Sequence, residues 1–306
     1  MLNNEETLLA WFADIPTASE WISVEPVNKG WSADRKYCVR TYGGERLMLR
    51  VSAGAQADAK RAEYDAVCRV AQLGIRMSMP VAFGLCEGGA SVYSLLTWLD
   101  GDEAGEVLSA LPEACKYELG LEAGRMLRMI HSIPATESQQ PWAERFNRKI
   151  DRNIGLCRAC AVPLPGAERA IDYAQKARHL LDGRPQCLQH GDYHTGNMIL
   201  SPGQELGIID FNRWDWGDPW EEFNRITLSS RTSEAFASGQ IDGYFAGAVP
   251  DAFFALLALY IASNLLGSIS WAVPYGQRDV DAMLAIAADT MEQYREFETV
   301  VPAWYR

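Results

Sequence analysis

Short runs rich in apolar residues, separated by polar and glycine-bearing stretches, recur five times within the first hundred residues: Trp21–Val27, Lys36–Thr41, Arg46–Ser52, Met79–Leu85 and Ser91–Leu99. Each is strand-like in length and composition. Gly43 and Gly44 separate the second run from the third and predict a tight hairpin. Between the third and fourth runs, Ala59, Ala62, Ala66, Val67 and Val70 recur at intervals of three and four. That spacing predicts a helix over 58–73, closed by Gly74. A short helix with one apolar face is expected at Thr7–Ala13.

After the polar stretch Asp100-Gly101-Asp102 the period becomes helical. Leu119, Ala123, Leu127 and Ile130 mark one face of a helix over 112–131, and further helices are expected over 142–160 and 167–181. Short strand-like runs at 187–190, 198–200 and 206–209 surround a loop, and helices resume from Trp220 to the end. The pattern predicts an α+β fold with an antiparallel-sheet lobe over 1–99 and a mostly helical lobe over 100–306, divided at the polar hinge. The segment 252–277 carries no charge and is long enough to span a membrane, but Ser263, Asn264, Ser268 and Ser270 interrupt it and no basic cluster flanks it. It reads as the central helix of the helical lobe.

Composition narrows the class. The 306 residues are 48% hydrophobic and 22% charged, the balance of a globular enzyme, and no basic run offers a nucleic-acid face at a formal net charge of −12. Seven irregularly spaced cysteines fit free thiols in a reducing cytoplasm; Cys157 and Cys160 form a lone CxxC without the second ligand pair that zinc needs. The first ten residues lack a basic region and are not read as a signal peptide. The expectations are a cytoplasmic location, no nucleic-acid or membrane partner, and a monomer or homodimer.

The candidate chemistry lies in His190-Gly-Asp-Tyr-His-Thr-Gly-Asn197, followed by Ile208-Ile-Asp-Phe211 and Gly217-Asp-Pro219. Phosphoryl transfer to an alcohol needs a carboxylate at the hydroxyl, oxygen ligands for a divalent ion and a cation for the phosphates. Asp192 and Asn197 stand five positions apart, the spacing of the base and the metal-binding amide in protein-kinase catalytic loops. Asp210 ends an aliphatic strand and precedes Phe211, as the metal-binding aspartate of those kinases does. The three pieces, in this order, resemble the aminoglycoside phosphotransferase family, whose fold is that of the protein kinases and choline kinases.

The resemblance implies a two-lobed protein-kinase-like fold with ATP, or GTP, and Mg²⁺ between the lobes. It makes Asp192 the catalytic base and Asn197 and Asp210 the metal ligands, with His190 a prop of the loop and Asp218 a brace of its amides. It places Ser32 in a nucleotide-positioning loop, Arg50 where the family carries a third-strand lysine, and Glu63 as the partner of that cation. Arginine keeps the charge of lysine but presents a rigid fork. Thr97 and Leu99 would meet adenine through backbone groups, and Met48 and Ile209 would sandwich it, although both are equally consistent with ordinary core positions. Arg213 would neutralise the transferring phosphoryl group. Trp214 and Trp216 would wall the substrate or pack within their loop.

The expected acceptor is a small molecule with a hydroxyl. Asp100, Asp102, Glu103, Glu106, Glu221 and Glu222 would suit a cationic one, an aminoglycoside antibiotic whose phosphorylation confers resistance, or else form a solvated face. Choline-, homoserine- or amino-sugar-type metabolic kinases and macrolide kinases are the alternatives, with a non-catalytic nucleotide-binding pseudokinase the third class.

Overall fold

The computed structural model describes residues 9–28, 33–136 and 139–306. The chain divides into two compact units, and the division is not a single cut. The first unit comprises 1–102 together with 199–212, and the second comprises 103–198 and 213–306. The one boundary at 99/100 expected from the hinge differs from this in a way that bears on the site, because Asp210 is a first-unit residue.

In the first unit, β1 (Trp21–Pro26), β2 (Arg35–Thr41), β3 (Arg46–Ala53), β4 (Pro80–Cys86) and β5 (Ser91–Thr97) form an antiparallel sheet in the order β1-β2-β3-β5-β4. Alternation along β3 decides its two faces. Leu47, Leu49 and Val51 enter a core with Tyr37, Val39, Tyr93 and Leu95, capped by Phe12, Ile15 and Trp21. Met48, Arg50 and Ser52 point the other way, toward helix α1 (Ala57–Ala71), whose Glu63 reaches Arg50. Gly44 supplies the left-handed residue of the β2–β3 turn, at φ 83°.

The returning segment is sewn to this unit by backbone bonds. After β6 (Asp102–Glu103) at the boundary, it holds the end of β8 (Met198–Leu200) and all of β9 (Leu206–Ile208). Ile208 bridges Met77 in parallel, donating to the Arg76 carbonyl at 2.9 Å and accepting from the Ser78 amide at 3.2 Å. Asp210 follows two residues later, so its position is fixed by a ladder that the sequence did not advertise.

The second unit is helical: α2 (Glu113–Ile130), α3 (Trp142–Ala159), α4 (Ala167–Ala177), α5 (Ile226–Thr232), α6 (Glu234–Phe245), α7 (Asp251–Ala272) and α8 (Gln277–Gln293). Helices α2 and α6 approach to backbone contact through Gly120, Gly124, Gly239 and Gly243. A methyl group on any of the four would stand 2.1–2.3 Å from a carbonyl oxygen of the facing helix. Helix α7, charged only at its first residue Asp251, and the turn after it have a mean hydropathy of 1.9, yet 72% of the apolar window is buried within the protein. Its apolar surface is therefore core surface. Strands β7 (Cys187–Gln189) and β10 (Asp215–Gly217) pair antiparallel and carry the functional loop at the end of β7. All seven cysteines are free.

Candidate active site

The loop His190–Asn197 is held by its own backbone and by groups beneath it in the second unit. Asp192 N–H donates to His190 Nδ1 at 3.3 Å, and His190 is fully buried. His194 caps the single turn Thr195–Asn197, its Nδ1 accepting from the Gly196 amide at 3.1 Å. Asn197 Nδ2 donates back to the Asp192 carbonyl at 2.9 Å, closing the loop on itself. Tyr193 points inward and donates to the Ala123 carbonyl of α2 at 2.6 Å. Gly191 has φ 85°, and a Cβ there would lie 1.7 Å from the Arg213 carbonyl oxygen, so only glycine fits.

Its amide is the loop's deepest anchor. Gly191 N–H donates to both carboxylate oxygens of Glu222, at 2.9 and 3.1 Å. Glu222 faces His131 Nε2 at 3.7 Å, and His131 Nδ1 meets the Tyr244 hydroxyl at 3.0 Å. Burial alone would push the Glu222 carboxyl up. The hydrogen bond and charge of His131, the charge of His190 and the Gly191 amide outweigh it and hold the carboxyl below its ordinary value.

This corrects two expectations. Asp218, expected to brace the loop amides, forms a two-pronged pair with Arg184 at 2.6 and 2.9 Å, caps the Trp220 amide, and accepts from Tyr260 at 2.5 Å. Glu222, four residues on, has the longer reach to Gly191 and takes that role. Nor are Glu221 and Glu222 available to a cationic acceptor, since both are buried and Glu221 accepts from Lys149 at 2.8 Å and from Gln189 at 3.2 Å.

The Asp192 side chain is one-fifth exposed and ringed by cations. Arg225 Nε lies 3.1 Å from Oδ1, His194 Nε2 3.7 Å from Oδ1, and Arg213 Nε 3.7 Å from Oδ2. Burial would raise its pKa, but the hydrogen bond from His194 and the charges of Arg225, His194 and Arg213 hold it well below the usual carboxylate range. An ionised acceptor-only carboxylate orients a hydroxyl and receives its proton late, as the loose transition state of phosphoryl transfer allows. Arg225 and His194 were not singled out from the sequence. Trp214 and Trp216, beside Arg213, meet edge to face at 5.7 Å.

The first unit holds a separate charge cluster. Arg50 is 7% exposed and donates to Asp210 Oδ1 at 2.8 Å and to Asp34 Oδ2 at 2.9 Å, with Glu63 Oε1 at 3.6 Å. Lys60 bonds Asp34 at 2.8 Å and Glu63 at 3.0 Å, and the Ser52 hydroxyl donates to Asp34 at 2.7 Å. Burial would push the Asp34 carboxyl up, but the hydrogen bonds from Lys60 and Ser52 and the charges of Arg50 and Lys60 bring it down to about 2. Asp210 sits at φ 68°, a left-handed conformation uncommon for a residue with a side chain and frequent at functional positions.

Among the other positions singled out from the sequence, Ser32 lies outside the described residues. Met48 is half-buried on the Arg50 face of β3, and Ile209 and Leu99 are half-buried in the same unit. Thr97 is a correction. Its N–H donates to the Met79 carbonyl and its hydroxyl accepts the Met79 amide, each at 2.8 Å. The sheet has already taken the amide that a nucleobase would need. The next amide, of Trp98, donates to Arg46. Leu99 is therefore the first residue past the ladder.

Within the second unit Asn197 spends its Nδ2 on the loop and keeps its amide oxygen, and within the first unit Asp210 accepts from Arg50 through Oδ1; each is a hard oxygen donor. Among the described residues no group of three or more His, Cys, Asp or Glu forms a metal cage. Mg²⁺, which is held by one or two protein ligands plus phosphates and water, fits such sparse oxygen ligation.

A sequence model described as the phosphotransferase enzyme family matches residues 23–255. An aminoglycoside 3′-phosphotransferase from Niallia circulans is 23% identical over 212 residues, covering 67% of this chain and 78% of that protein. Among solved structures, the GDP complex of aminoglycoside 2′-phosphotransferase-IIIa has a TM-score of 0.68 at 16% identity, covering 95% of this chain and 99% of that one. A choline/ethanolamine kinase family protein from Mesorhizobium loti has a TM-score of 0.68 at 17% identity, covering 96% and 97%. An amicoumacin kinase in complex with AMP-PNP and Ca²⁺ has a TM-score of 0.65 at 15% identity, covering 97% of each chain. At such identities the likeness establishes a kinase-like fold.

Proposed function

Since the chain belongs to the phosphotransferase enzyme family, and is thus a small-molecule kinase, we propose that it moves the γ-phosphoryl group of ATP to a hydroxyl of a cationic, aminoglycoside-type acceptor. The observation that carries this reading is the Asp192 loop: an ionised carboxylate flanked by two arginines and a histidine, on a backbone tied down at Gly191, Asp192 and Asn197.

Each residue has a task. Asp192 orients the acceptor hydroxyl and receives its proton as the oxygen–phosphorus bond forms and the bond to the departing diphosphate breaks. Arg213 and Arg225 offset negative charge around that event. Asn197 and Asp210 would each offer an oxygen to Mg²⁺, which would neutralise phosphate charge when bound. Leu99 is the backbone contact for the nucleobase, flanked by Met48 and Ile209.

A cationic acceptor is supported by the acidic chain and by a cavity of about 440 Å³ in the second unit. Its lining includes Glu234 and Glu292 beside two ion pairs, Lys116 with Glu113 at 2.6 Å and Arg231 with Asp289. Thr232 on its wall lies 3.3 Å from Thr195 of the catalytic loop, oxygen to oxygen. The size suits a small-molecule ligand. A coupled ADP-release assay over aminoglycosides, macrolides, choline, homoserine and amino sugars tests the reading. Turnover confined to aminoglycosides supports it, turnover confined to another class replaces the acceptor, and no turnover with any of them contradicts it.

A further inference from the structure

The cavity that Thr232 joins to the catalytic loop has a mostly polar lining, with Thr227, Ser230, Ser233, Glu234 and Glu292 among it. Its apolar part is Ile286, Tyr294 and Trp304. Trp304 is the largest of these and only 3% exposed, so its ring is held on the wall rather than waving in solvent. An aromatic face beside carboxylates is the pairing that receives an organic cation: the face attracts the ammonium and the carboxylates bond it.

Trp304 is carried by the segment that follows α8, and that segment is bonded on both sides of the ring. The Ala303 amide donates to the Gln293 carbonyl at 3.0 Å, and the Trp304 carbonyl accepts from the Ser238 hydroxyl of α6 at 3.4 Å. The Tyr305 hydroxyl donates to Asp242 Oδ1 of α6 at 2.7 Å, and its ring packs on Phe254 of α7 at 4.8 Å. The other oxygen of Asp242 accepts from the Tyr117 hydroxyl of α2 at 2.8 Å. Tyr117 follows Lys116, which lines the cavity together with Glu113. One carboxylate therefore grips the neighbour of a wall residue on each of two elements, although Asp242, Tyr117 and Tyr305 are not themselves part of the lining. An indole has two side-chain torsions, so fixing the backbone around it goes far toward fixing the ring.

We propose that Trp304 is the face against which the acceptor packs, and that Asp242 is a positioning residue that sets, through Tyr305 and Tyr117, the walls bearing Trp304 and Lys116. The acceptor lays the C–H surface of a ring on the indole, and Glu234 and Glu292 meet its ammonium groups. The inference rests on the reading of this cavity as the acceptor site and names the residues that give the site its shape.

Steady-state kinetics of the full chain, with whichever acceptor of the panel above wild type turns over fastest, tests the assignment. Trp304→Ala is expected to raise the acceptor KM by about 10- to 100-fold while kcat and the ATP KM stay within about threefold, the mark of lost uniform binding. Trp304→Phe, which keeps an aromatic face, should recover most of the loss. Tyr305→Phe removes only the hydroxyl on Asp242 and leaves the ring on Phe254; the acceptor KM should rise by about 3- to 10-fold, the loss of one hydrogen bond, with the ATP KM again unmoved. An unchanged acceptor KM in Trp304→Ala would overturn the role of Trp304 and leave the kinase reading standing, and an unchanged one in Tyr305→Phe would overturn that of Asp242. A parallel rise in the ATP KM, or a fall in kcat alone, would mean a general disturbance of the unit and would likewise overturn the assignment. Trp304→Leu repeats the comparison should the alanine variant fold poorly. A wild-type protein that turns over no acceptor of the panel would overturn the acceptor reading and this inference with it.

Discussion

Glu222 grips the amide of Gly191 with both carboxylate oxygens, at 2.9 and 3.1 Å, from a fully buried position. The grip sets the backbone one residue before Asp192, while His190 and Asn197 fix the residue itself. The orientation of the Asp192 carboxylate is thus decided below the loop, at a position the motif leaves unremarked.

Glu222→Ala strands a buried amide and removes the anion facing His131. Breaking a buried charge pair of this kind costs about 3 kcal/mol. The expected result is a thermal midpoint several degrees lower and a kcat reduced by at least tenfold. Glu222→Gln retains one acceptor for Gly191 and should lie between. Calorimetry and steady-state kinetics on the same preparations check this; an alanine variant with wild-type kcat contradicts the anchoring role.

Asp192→Asn keeps the shape and loses the proton acceptor. Its kcat should fall by about 10²- to 10⁴-fold, the ordinary contribution of a positioned base. Affinity for AMP-PNP, measured by calorimetry, should change little. Turnover at the wild-type rate would remove Asp192 from the mechanism.

Asp34 titrates at about 2 in the folded protein against an ordinary value of 3.8. A carboxyl depressed by folding stabilises the protein fully above its unfolded value and ceases to do so as pH falls through the folded one. Asp34→Asn should therefore be less stable than wild type at neutral pH. The gap should narrow as pH drops from about 4 to about 2. Urea unfolding at stepped pH measures it, and a gap independent of pH shows that Asp34 is not the responsible group.

Gly124→Ala puts a methyl group 2.2 Å from the Gln240 carbonyl oxygen, a rigid backbone atom. Helices α2 and α6 must separate to admit it, at a cost of about 3 kcal/mol, the upper range for overpacking. Gly155→Ala, where nothing lies within 4 Å of the added methyl, should stabilise its helix by about 0.5–1 kcal/mol. Equal denaturation midpoints for the two variants would refute the close approach.

Local periodicity made the strands, the long helices and the hairpin legible, because burial on one face leaves a repeating mark. The loop was legible because its chemistry demands particular residues at fixed spacing. What stayed hidden was set by partners distant in the chain. Arg50 meets Asp34 across a hairpin and Asp210 from 160 positions away. Arg225 and Glu222 reach the loop from an irregular turn with no periodicity. Thr97 looked available as a hinge because nothing local reveals that Met79 closes on it. One missed feature did leave a trace: the Gly43-Gly44 turn sets the register that opposes Lys36 to Arg50.

The return of 199–212 to the first unit has a consequence for synthesis. Domains generally fold in the order in which they leave the ribosome. Here the leading hundred residues emerge without the strand that bridges Met77, and they wait until residue 212 has been made. By then the ribosome has delivered α2, α3 and α4 of the second unit but not α5 to α8, so the first unit is completed from within the sequence of the second.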